Sequence, residues 1–272
     1  MPKPNRSRVQ AVILCGGQGT RIRDAGENLP KPMLPIGGKP ILWHIMKIYA
    51  ASGVTDFVLC LGYKGWLIKD FFLNYDARLC DTVVEIGARR RVRFLGLNHR
   101  ENWTVTLAET GEDSQTGARV AAIRPYVEES EIFCLTYGDG VANIDIGRLL
   151  EFHRSHGKIA TITAVRPPGR FGEMVVDGRM VIEFNEKPQA TTGIINGGFF
   201  VFDSKRIWDY LDGGSALVLE REPLQKLAKD GQLAAYYHEG FWQPMDTLRE
   251  YNLFNQQWDS GKAPWKVWED GA

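Results

Sequence analysis

The feature that most restricts the fold of this chain is a set of short, largely apolar runs separated by amphipathic stretches. Runs of strand length occur at Val9–Cys15, Asp56–Leu61, Ile132–Tyr137 and Ala160–Val165. Strands with little polar alternation that are separated by helices are typical of a parallel sheet covered on both faces. Helices are predicted at Ile41–Ala51, Tyr63–Asn74, Gly117–Val127, Ile146–His156, Ser204–Leu211 and Glu220–Asp230.

The strand pattern changes after residue 167. The segments Gly172–Val176 and Met180–Phe184 flank Asp177-Gly178, a dipeptide typical of tight hairpin turns. Two further strands are predicted at Phe199–Phe202 and Leu233–His238. We therefore predict an α/β fold, in which a Rossmann-like, doubly wound, mixed and mainly parallel sheet carries antiparallel additions in its second half.

Length and charge limit the possible classes of function. The chain has 272 residues, which suits one or two domains of roughly 150 residues. Because it contains no clear linker or repeat, we predict a single domain over residues 1–272. Its 33 basic and 33 acidic residues cancel, which argues against binding nucleic acid or an anionic membrane by bulk charge. A small anionic ligand in a local pocket is compatible with this balance.

The cysteines and the N-terminal segment favour a cytoplasmic protein. The cysteines form no C-x-x-C pair, which argues against a zinc site or a disulfide framework. We expect three of them to be buried thiols: Cys15, Cys60 and Cys134. The apolar run after the basic first eight residues is too short for a signal peptide. No stretch approaches the ~18 apolar residues of a membrane span.

A glycine-rich turn, Cys15-Gly16-Gly17-Gln18-Gly19-Thr20-Arg21, follows the first predicted strand. Glycines let the backbone approach a ligand closely, and N–H groups in such turns can cradle phosphate oxygens. Arg21 adds a charged group suited to phosphate. The turn matches neither G-x-G-x-x-G nor a Walker loop. Alone it is a weak signal for a nucleotide.

The segment Pro30-Lys31-Pro32 makes that signal specific. Two prolines stiffen the backbone around one lysine, and a positioned ammonium contacts a transition state at lower entropy cost. Taken alone, a surface loop with a chance lysine explains the segment better. Because the segment follows the glycine-rich turn, however, it predicts a lysine that contacts phosphate.

Together, G-G-Q-G-T-R and P-K-P resemble the signature of the sugar-1-phosphate nucleotidylyltransferases. Further segments resemble the cytidylyl-transferring subgroup, which makes CDP-glucose from CTP and glucose 1-phosphate. These segments are GGKPILWHIM at 37–46, GYKG at 62–65, TYGDG at 136–140, PPGRFG at 167–172, EKP at 186–188, INGGFF at 195–200 and FWQPMDT at 241–247. The resemblance covers almost the whole chain.

The resemblance implies a Mg²⁺-dependent in-line displacement in which glucose 1-phosphate attacks the α-phosphorus of CTP and pyrophosphate leaves. It implies Asp139 and Asp246 as Mg²⁺ ligands, Arg21 and Lys31 as contacts of the triphosphate, and Lys187 as the lysine that grips the sugar phosphate. Arg21, Lys31, Asp139 and Lys187 form the expected catalytic set. From the residues alone, Asp139 could instead cap a turn or helix, and Asp246 could be the N-cap of a helix beginning at residue 247.

The remaining site residues are also expected from the resemblance. The sugar-phosphate side would be formed by Gly172, Glu186, Lys187, Asn196 and Gly197. The nucleotide side would be formed by Leu14, Cys15, Gly16, Gly17, Gln18, Gly19, Thr20, Arg21, Lys31, Thr116, Arg119 and Gly138. Of these, Thr116 and Arg119 are the candidates for contacts with cytosine or phosphate. An exposed charge pair is the alternative for Glu186 and Lys187.

The same resemblance divides the domain into a nucleotide-binding part at about 8–145, a sugar-binding part at about 146–250 and a C-terminal packing or oligomerisation segment at about 251–272. The chemistry needs neither an enzyme nucleophile nor a general base, so the histidines are expected to be structural or surface residues.

A homo-oligomer is expected, with the arginine-rich run at 89–100 and the C-terminal tryptophans Trp258, Trp265 and Trp268 as possible contacts. An exposed edge is the alternative for the arginines, and packing on the core of the same chain for the tryptophans. The expected pathway is the synthesis of deoxysugars and surface polysaccharides such as the lipopolysaccharide O-antigen. Another sugar 1-phosphate, another nucleotide (dTTP or UTP), or a non-catalytic nucleotide-sensing subunit are the alternative functions.

Overall fold

The structure, a computed structural model, describes residues 9–17, 29–87, 91–96, 101–167, 173–177, 180–185 and 193–269. Its strands are β1 (Gln10–Leu14), β2 (Pro35–Ile36), β3 (Lys39–Pro40), β4 (Asp56–Leu61), β5 (Asp81–Glu85), β6 (Arg91–Leu95), β7 (Thr104–Glu109), β8 (Ile132–Tyr137), β9 (Gly140–Ala142), β10 (Ala160–Val165), β11 (Glu173–Asp177), β12 (Met180–Asn185), β13 (Ile195–Asp203), β14 (Leu233–His238) and β15 (Trp242–Pro244). Its α-helices are α1 (Ile41–Ala50), α2 (Gly65–Leu73), α3 (Thr116–Ala122), α4 (Arg124–Val127), α5 (Ile146–His156), α6 (Glu222–Lys229) and α7 (Leu248–Asp259).

The central sheet has seven strands in the order β14-β10-β13-β8-β1-β4-β7. Strands β7, β4, β1 and β8 are parallel to one another, and so are β10 and β14. Strand β13 runs antiparallel to both of its neighbours, β8 and β10. The sheet is therefore mixed and mainly parallel, with its antiparallel strand in the second half of the chain. This confirms the predicted fold class.

The strand order places a ligand crevice beside β1. The chain leaves β1 towards β4 and β7 and later returns to β8 on the other side of β1. Open α/β sheets bind ligands outside the carboxyl ends of their strands at such a switch point. Leu14 of β1 lies beside Cys60 of β4 and Tyr137 of β8, and the Gly138 N–H donates to the Leu14 carbonyl at 3.0 Å. The carboxyl ends of β1 and β8 therefore lie at one level.

Buried side chains cover both faces of the sheet. Alternate residues of β1 point to opposite sides, so Ile13 belongs to one apolar cluster and Val12 to the other. Strand β13 divides in the same way, with Phe199 on the first side and Phe200 on the second. Burying such a side chain stabilises the fold by about 1.5–3 kcal/mol relative to leaving it in water. Two-sided burial is the reason the strands are apolar without alternation.

The C-terminal tryptophans pack on the core of this same chain. Trp265 and Trp268 are buried, and Trp258 is half-buried against the same cluster. The Trp265 indole Nε1–H donates to Nδ1 of His44 on α1 at 3.4 Å. Of the two expectations for these residues, packing on the core is therefore the one the described chain displays.

Some predicted elements differ from the observed ones. The helix predicted at Gly117–Val127 is divided into α3 and α4 at Ile123, because Pro125 has no N–H to continue the hydrogen-bond ladder. The helix predicted at Ser204–Leu211 is a 3₁₀ turn at Ile207–Tyr210. The edge strand β7, the ribbons β5–β6 and β9–β15, and most of α7 were not predicted.

Three cysteines behave as predicted. Cys15, Cys60 and Cys134 are free and buried, and burial raises the pKa of the Cys60 and Cys134 thiols to about 12. Within the described ranges, no helix combines the length and apolar character needed to cross a membrane.

Two buried histidines should make stability depend on pH. The Nε2 of His44 bonds to the Ile36 carbonyl at 2.9 Å, and its Nδ1 accepts from Trp265, so the ring is neutral. Nδ1 of His153 lies 2.8 Å from the Thr161 hydroxyl. Burial lowers the pKa of His44 and His153 to about 4 in each case, and for His153 neighbouring His156 adds to the effect.

Because the folded-state pKa of both histidines lies below the unfolded value, protonation favours the unfolded chain. We expect the free energy of unfolding to fall as the pH drops from about 6.5 towards 4, by about 1 kcal/mol per histidine at pH 5.5. Urea unfolding at pH 7.5 and 5.5 measures this change. His153→Asn should remove its share of the pH dependence, and an equal dependence in that variant would contradict the assignment.

Candidate active site

A lysine between two carboxylates forms the centre of the site. Lys31 begins a 3₁₀ turn, Lys31–Met33, that follows Pro30. Its Nζ donates to Asp139 Oδ2 at 2.6 Å and to Asp246 Oδ1 at 2.7 Å. The Lys31 side chain is 13% exposed, against 32% for Asp139 and 29% for Asp246. Burial alone would lower the pKa of Lys31, but the two carboxylates outweigh it and raise that pKa.

A short antiparallel ribbon brings the two aspartates together. Asp139 follows β8, and β9 then pairs with β15 so that Gly140 lies opposite Pro244. The Met245 N–H donates to the Asp139 carbonyl at 2.8 Å, which continues the ribbon by one step. Residue 246 therefore lies next to Asp139, although the two are far apart in sequence.

Asp246 is not the N-cap of the helix that follows it. Thr247 is the N-cap of α7, and Thr247 and Glu250 form a capping box. The Glu250 carboxylate also accepts from the Asp246 N–H at 2.6 Å. The capping alternative for Asp246 was therefore wrong, and its carboxylate faces Lys31 instead.

The two carboxylates suit a divalent metal ion. Mg²⁺ is commonly held by one or two carboxylates together with substrate phosphates and water. Asp139 and Asp246 both direct an oxygen at one cation, the Lys31 ammonium, and both are partly exposed. Among the described residues no group of three or more His, Cys, Asp and Glu side chains could hold a metal ion. A site here would therefore depend on these two aspartates and on phosphate oxygens.

Arg119 is buried beneath the glycine-rich turn. Its Nη1 donates to the carbonyls of Leu61 and Gly111 and to the Thr110 hydroxyl, at 2.8–2.9 Å. Its Nη2 donates to the carbonyls of Gly16 and Glu112 at 3.2 and 3.0 Å. The guanidinium thus ties together the loops that follow β1, β4 and β7. Direct contact between Arg119 and a nucleotide remains a prediction.

Gly16 makes room for that guanidinium. A Cβ built on Gly16 would lie 2.1 Å from the Arg119 Cζ, a separation that no side chain can adopt. The requirement for glycine at this position of the turn therefore comes from a protein contact as well as from any bound phosphate. Gly17, by contrast, has no atom of the described residues within 4 Å of its Cβ position.

A chain of hydrogen bonds joins Thr116, expected on the nucleotide side, to Asn196, expected on the sugar side. Thr116 donates to Glu220 Oε2 at 2.6 Å, and Tyr137 donates to Glu220 Oε1. Asn196 Nδ2 donates to the Tyr137 hydroxyl at 3.4 Å. The neighbouring Gly197 carbonyl accepts from the Trp242 indole at 2.6 Å. Sequence reasoning did not single out Glu220, since nothing in the surrounding residues marks it.

The described structure brings several predicted residues to one edge of the sheet: Leu14, Cys15, Gly16, Gly17, Lys31, Thr116, Arg119, Gly138, Asp139, Asn196, Gly197 and Asp246. The side chains of Leu14 and Cys15 are buried, so these two can face the crevice only through their backbone. The other predicted residues lie outside the described ranges: Gln18, Gly19, Thr20, Arg21, Gly172, Glu186 and Lys187.

Comparison with known proteins gives the class of enzyme to which this chain belongs. The model of the nucleotidyl transferase family matches residues 10–270, and the chain belongs to this family. It is 48% identical over 263 residues to a glucose-1-phosphate cytidylyltransferase of Salmonella typhi, an alignment that covers 96% of this chain and 100% of the relative. It is 45% identical over 260 residues to a probable glucose-1-phosphate cytidylyltransferase of Bacillus subtilis, with the same coverage.

A solved structure supports the fold. The crystal structure of HddC from Yersinia pseudotuberculosis superposes with a TM-score of 0.65, covering 92% of this chain and 99% of that one, at 24% identity.

The role of Arg119 can be tested by a substitution that keeps the charge. In Arg119→Lys a single ammonium cannot reach carbonyls on three loops, so we expect the free energy of unfolding to fall by about 2–3 kcal/mol. Urea unfolding measures the change. Exposed Arg124, which pairs with Glu128 on the same helix, gives the matched control, because Arg124→Lys should change stability by less than about 0.5 kcal/mol. Equal effects of the two substitutions would contradict this role.

Proposed function

We propose that this chain transfers the cytidylyl group of CTP to α-D-glucose 1-phosphate, giving CDP-glucose and pyrophosphate. The convergence of Lys31, Asp139 and Asp246 at the switch point is the observation that carries the proposal. Near-complete alignment with the two cytidylyltransferases supports the choice of base and sugar. Nucleotidyl transfer needs positive charge close to phosphate, and this site has a positioned ammonium and two adjacent carboxylates of the kind that Mg²⁺ prefers.

The reaction is an in-line displacement. An oxygen of the sugar phosphate forms a bond to the α-phosphorus of CTP, and the bond from that phosphorus to pyrophosphate breaks. The attacking oxygen is already anionic, so the enzyme need not remove a proton. Catalysis then depends on alignment and on stabilising charge around the α-phosphorus. In this assignment Lys31 contacts the α-phosphate, and Arg21 contacts the departing β- and γ-phosphates.

Asp139 and Asp246 would hold Mg²⁺. When bound, the ion neutralises phosphate charge. Lys31, which now contacts both carboxylates, would exchange them for phosphate oxygens when the nucleotide enters. The backbone of the turn from Leu14 to Gly19, together with Thr20 and Gly138, lines the nucleotide side.

The sugar side is assigned to residues in the second half of the chain. Lys187 would pair with the sugar phosphate, and Glu186 would accept hydrogen bonds from sugar hydroxyls. Gly172, Asn196 and Gly197 would line the pocket. Asn196 and Gly197 are held at the crevice by Tyr137 and Trp242, respectively, which supports their assignment.

We assign one domain to this activity, with the nucleotide part at about 8–145, the sugar part at about 146–250 and the C-terminal segment at about 251–272.

A homo-oligomer is proposed from the β5–β6 ribbon, whose apolar side chains Val84, Val92 and Leu95 are exposed. The product would serve the synthesis of deoxysugars and surface polysaccharide, including the O-antigen of lipopolysaccharide, in the cytoplasm.

Pyrophosphate release tests the function. With Mg²⁺ and glucose 1-phosphate we expect turnover with CTP that exceeds turnover with dTTP, UTP or GTP, and with CTP we expect glucose 1-phosphate to exceed mannose 1-phosphate. EDTA should abolish turnover, and added Mg²⁺ should restore it. Preference for another base or sugar would refute that part of the proposal. No turnover with any pair would favour a non-catalytic nucleotide-sensing subunit.

Lys31→Met tests two proposed roles of the lysine, which are to stabilise charge at the reacting phosphate and to occupy the place between Asp139 and Asp246. Loss of a positioned charge at the reacting phosphate should lower kcat by at least about 100-fold. The same change removes the cation that now lies between Asp139 and Asp246, so the nucleotide-free protein should bind Mg²⁺ more tightly, as measured by calorimetry. Lys229→Met, at an exposed position of α6, should change neither quantity. Unaltered Mg²⁺ binding in Lys31→Met would contradict the assignment of the two aspartates.

A further inference from the structure

A single carboxylate joins the two sides of the crevice. Glu220 lies in the loop before α6 and is half-buried. One of its oxygens accepts from Thr116 at 2.6 Å, and the other accepts from Tyr137. Thr116 begins α3, and Tyr137 ends β8 two residues before Asp139. Glu220 therefore contacts both the expected nucleotide side and the strand that carries a catalytic aspartate.

The direction of each hydrogen bond is fixed. The Thr116 hydroxyl accepts from the Leu219 N–H at 2.9 Å, and the Tyr137 hydroxyl accepts from Asn196 Nδ2 at 3.4 Å. Each hydroxyl is thus left to donate its proton to Glu220. A carboxylate is the side chain that can accept from both, since it has two acceptor oxygens and no proton to donate. Hydrogen bonds to a charged acceptor are also stronger than those between neutral groups.

The segment before Glu220 is hydrogen-bonded to the start of α3. The Gln115 N–H donates to the Ser215 carbonyl at 2.9 Å, and the Ala118 N–H donates to the Leu217 carbonyl at 3.1 Å. With the bond from Thr116 to Glu220 and the bond from the Leu219 N–H to Thr116, four hydrogen bonds hold this loop against the helix. A change in the position of α3 would therefore move the loop and Glu220 with it.

The Tyr137 ring packs closely against the start of β13, on the expected sugar side. A Cβ on Gly198 would lie 2.6 Å from the Tyr137 Cδ2, and Gly198 has a φ of +76°. The Gly198 N–H donates to Asn196 Oδ1 at 2.8 Å. Tyr137 thus fits against the backbone of β13, and the amide of Asn196 has one fixed orientation, with its oxygen facing Gly198 and its nitrogen facing Tyr137.

We propose that Glu220 is a positioning residue that sets the spacing between the nucleotide and sugar sides of the active site, acting through Thr116 on one side and through Tyr137 and Asn196 on the other. The inference rests on the proposed function, because it concerns the binding of CTP and glucose 1-phosphate. Glu220 itself contacts neither substrate. Its removal lets each side relax separately, so both substrates bind less well.

Steady-state kinetics with CTP and glucose 1-phosphate test this role. Glu220→Ala should raise the KM for both substrates about tenfold, with a smaller change in kcat. Thr116→Val should raise mainly the KM for CTP, and Tyr137→Phe mainly the KM for glucose 1-phosphate. Adding Thr116→Val to Glu220→Ala should have little further effect on the KM for CTP, because Thr116 acts through Glu220.

Glu222→Ala is the matched control, since Glu222 is an exposed glutamate two residues away, and its kinetics should equal those of the wild type. A cooperative melting transition for each variant establishes that it is folded. If Glu220→Ala loses this transition, Glu220→Gln takes its place, because glutamine keeps the size and one acceptor, and a smaller rise in both KM values is then expected.

The outcomes are distinct. A fall in kcat with both KM values unchanged would show that Glu220 does not set the binding of either substrate, and it would overturn the inference. Unchanged kinetics would overturn it as well. A wild-type protein with no turnover of CTP and glucose 1-phosphate would refute the proposed function, and this inference with it.

Discussion

The active site depends on one electrostatic arrangement, in which the Lys31 ammonium lies between the carboxylates of Asp139 and Asp246. In the sequence, Lys31 is separated from Asp139 by 108 positions and from Asp246 by 215 positions. Two carboxylates this close repel each other unless a cation lies between them. The 3₁₀ turn that carries Lys31, the end of β8 and the β9–β15 ribbon must therefore all be in place before the site is stable.

Around this arrangement the structure uses buried polar groups to hold loops. Arg119 binds four backbone carbonyls from the segments that follow β1, β4 and β7. Buried carbonyls require donors, and a guanidinium can supply several from one position. These contacts tie Gly16, in the described part of the glycine-rich turn, to the segments at the ends of β4 and β7. Glu220 supplies acceptors in the same way, since its carboxylate accepts hydrogen bonds from the hydroxyls of Thr116 and Tyr137.

Much of this could be predicted from the sequence. Apolar runs identified β1, β4, β8 and β10 because each is buried on both faces, and this gave the fold class. Lys31 was identified from the two prolines that stiffen its segment downstream of the glycine-rich turn. Asp139 and Asp246 were identified as metal ligands through the resemblance to the nucleotidylyltransferases. The same resemblance implied that they converge, but the β9–β15 ribbon, rather than the carboxyl ends of parallel strands, brings Asp246 to Asp139.

The remainder could not be predicted, for physical reasons. Strand β7 is a partly exposed edge strand, so polar residues are interspersed with its apolar ones and no continuous apolar run marks it. Ribbon β9–β15 is only three residues long on each side, too short for a periodic pattern. The positioning contacts of Arg119 and Glu220 join segments distant in sequence, and no local spacing indicates them. Asp246 was interpreted as a possible cap because the competing cap, Thr247, is its neighbour.

The reversal of β13 has a consequence for how many chain segments can reach the crevice. In a wholly parallel sheet, only the exits of strands lie at the ligand-binding edge, and every entrance lies at the far side. Because β13 runs the other way, its entrance, with Asn196 and Gly197, lies beside the exits of β8 and β10. One inverted strand thus brings the start of β13 to the same edge of the sheet as the ends of both its neighbours, which a uniform strand direction would not do.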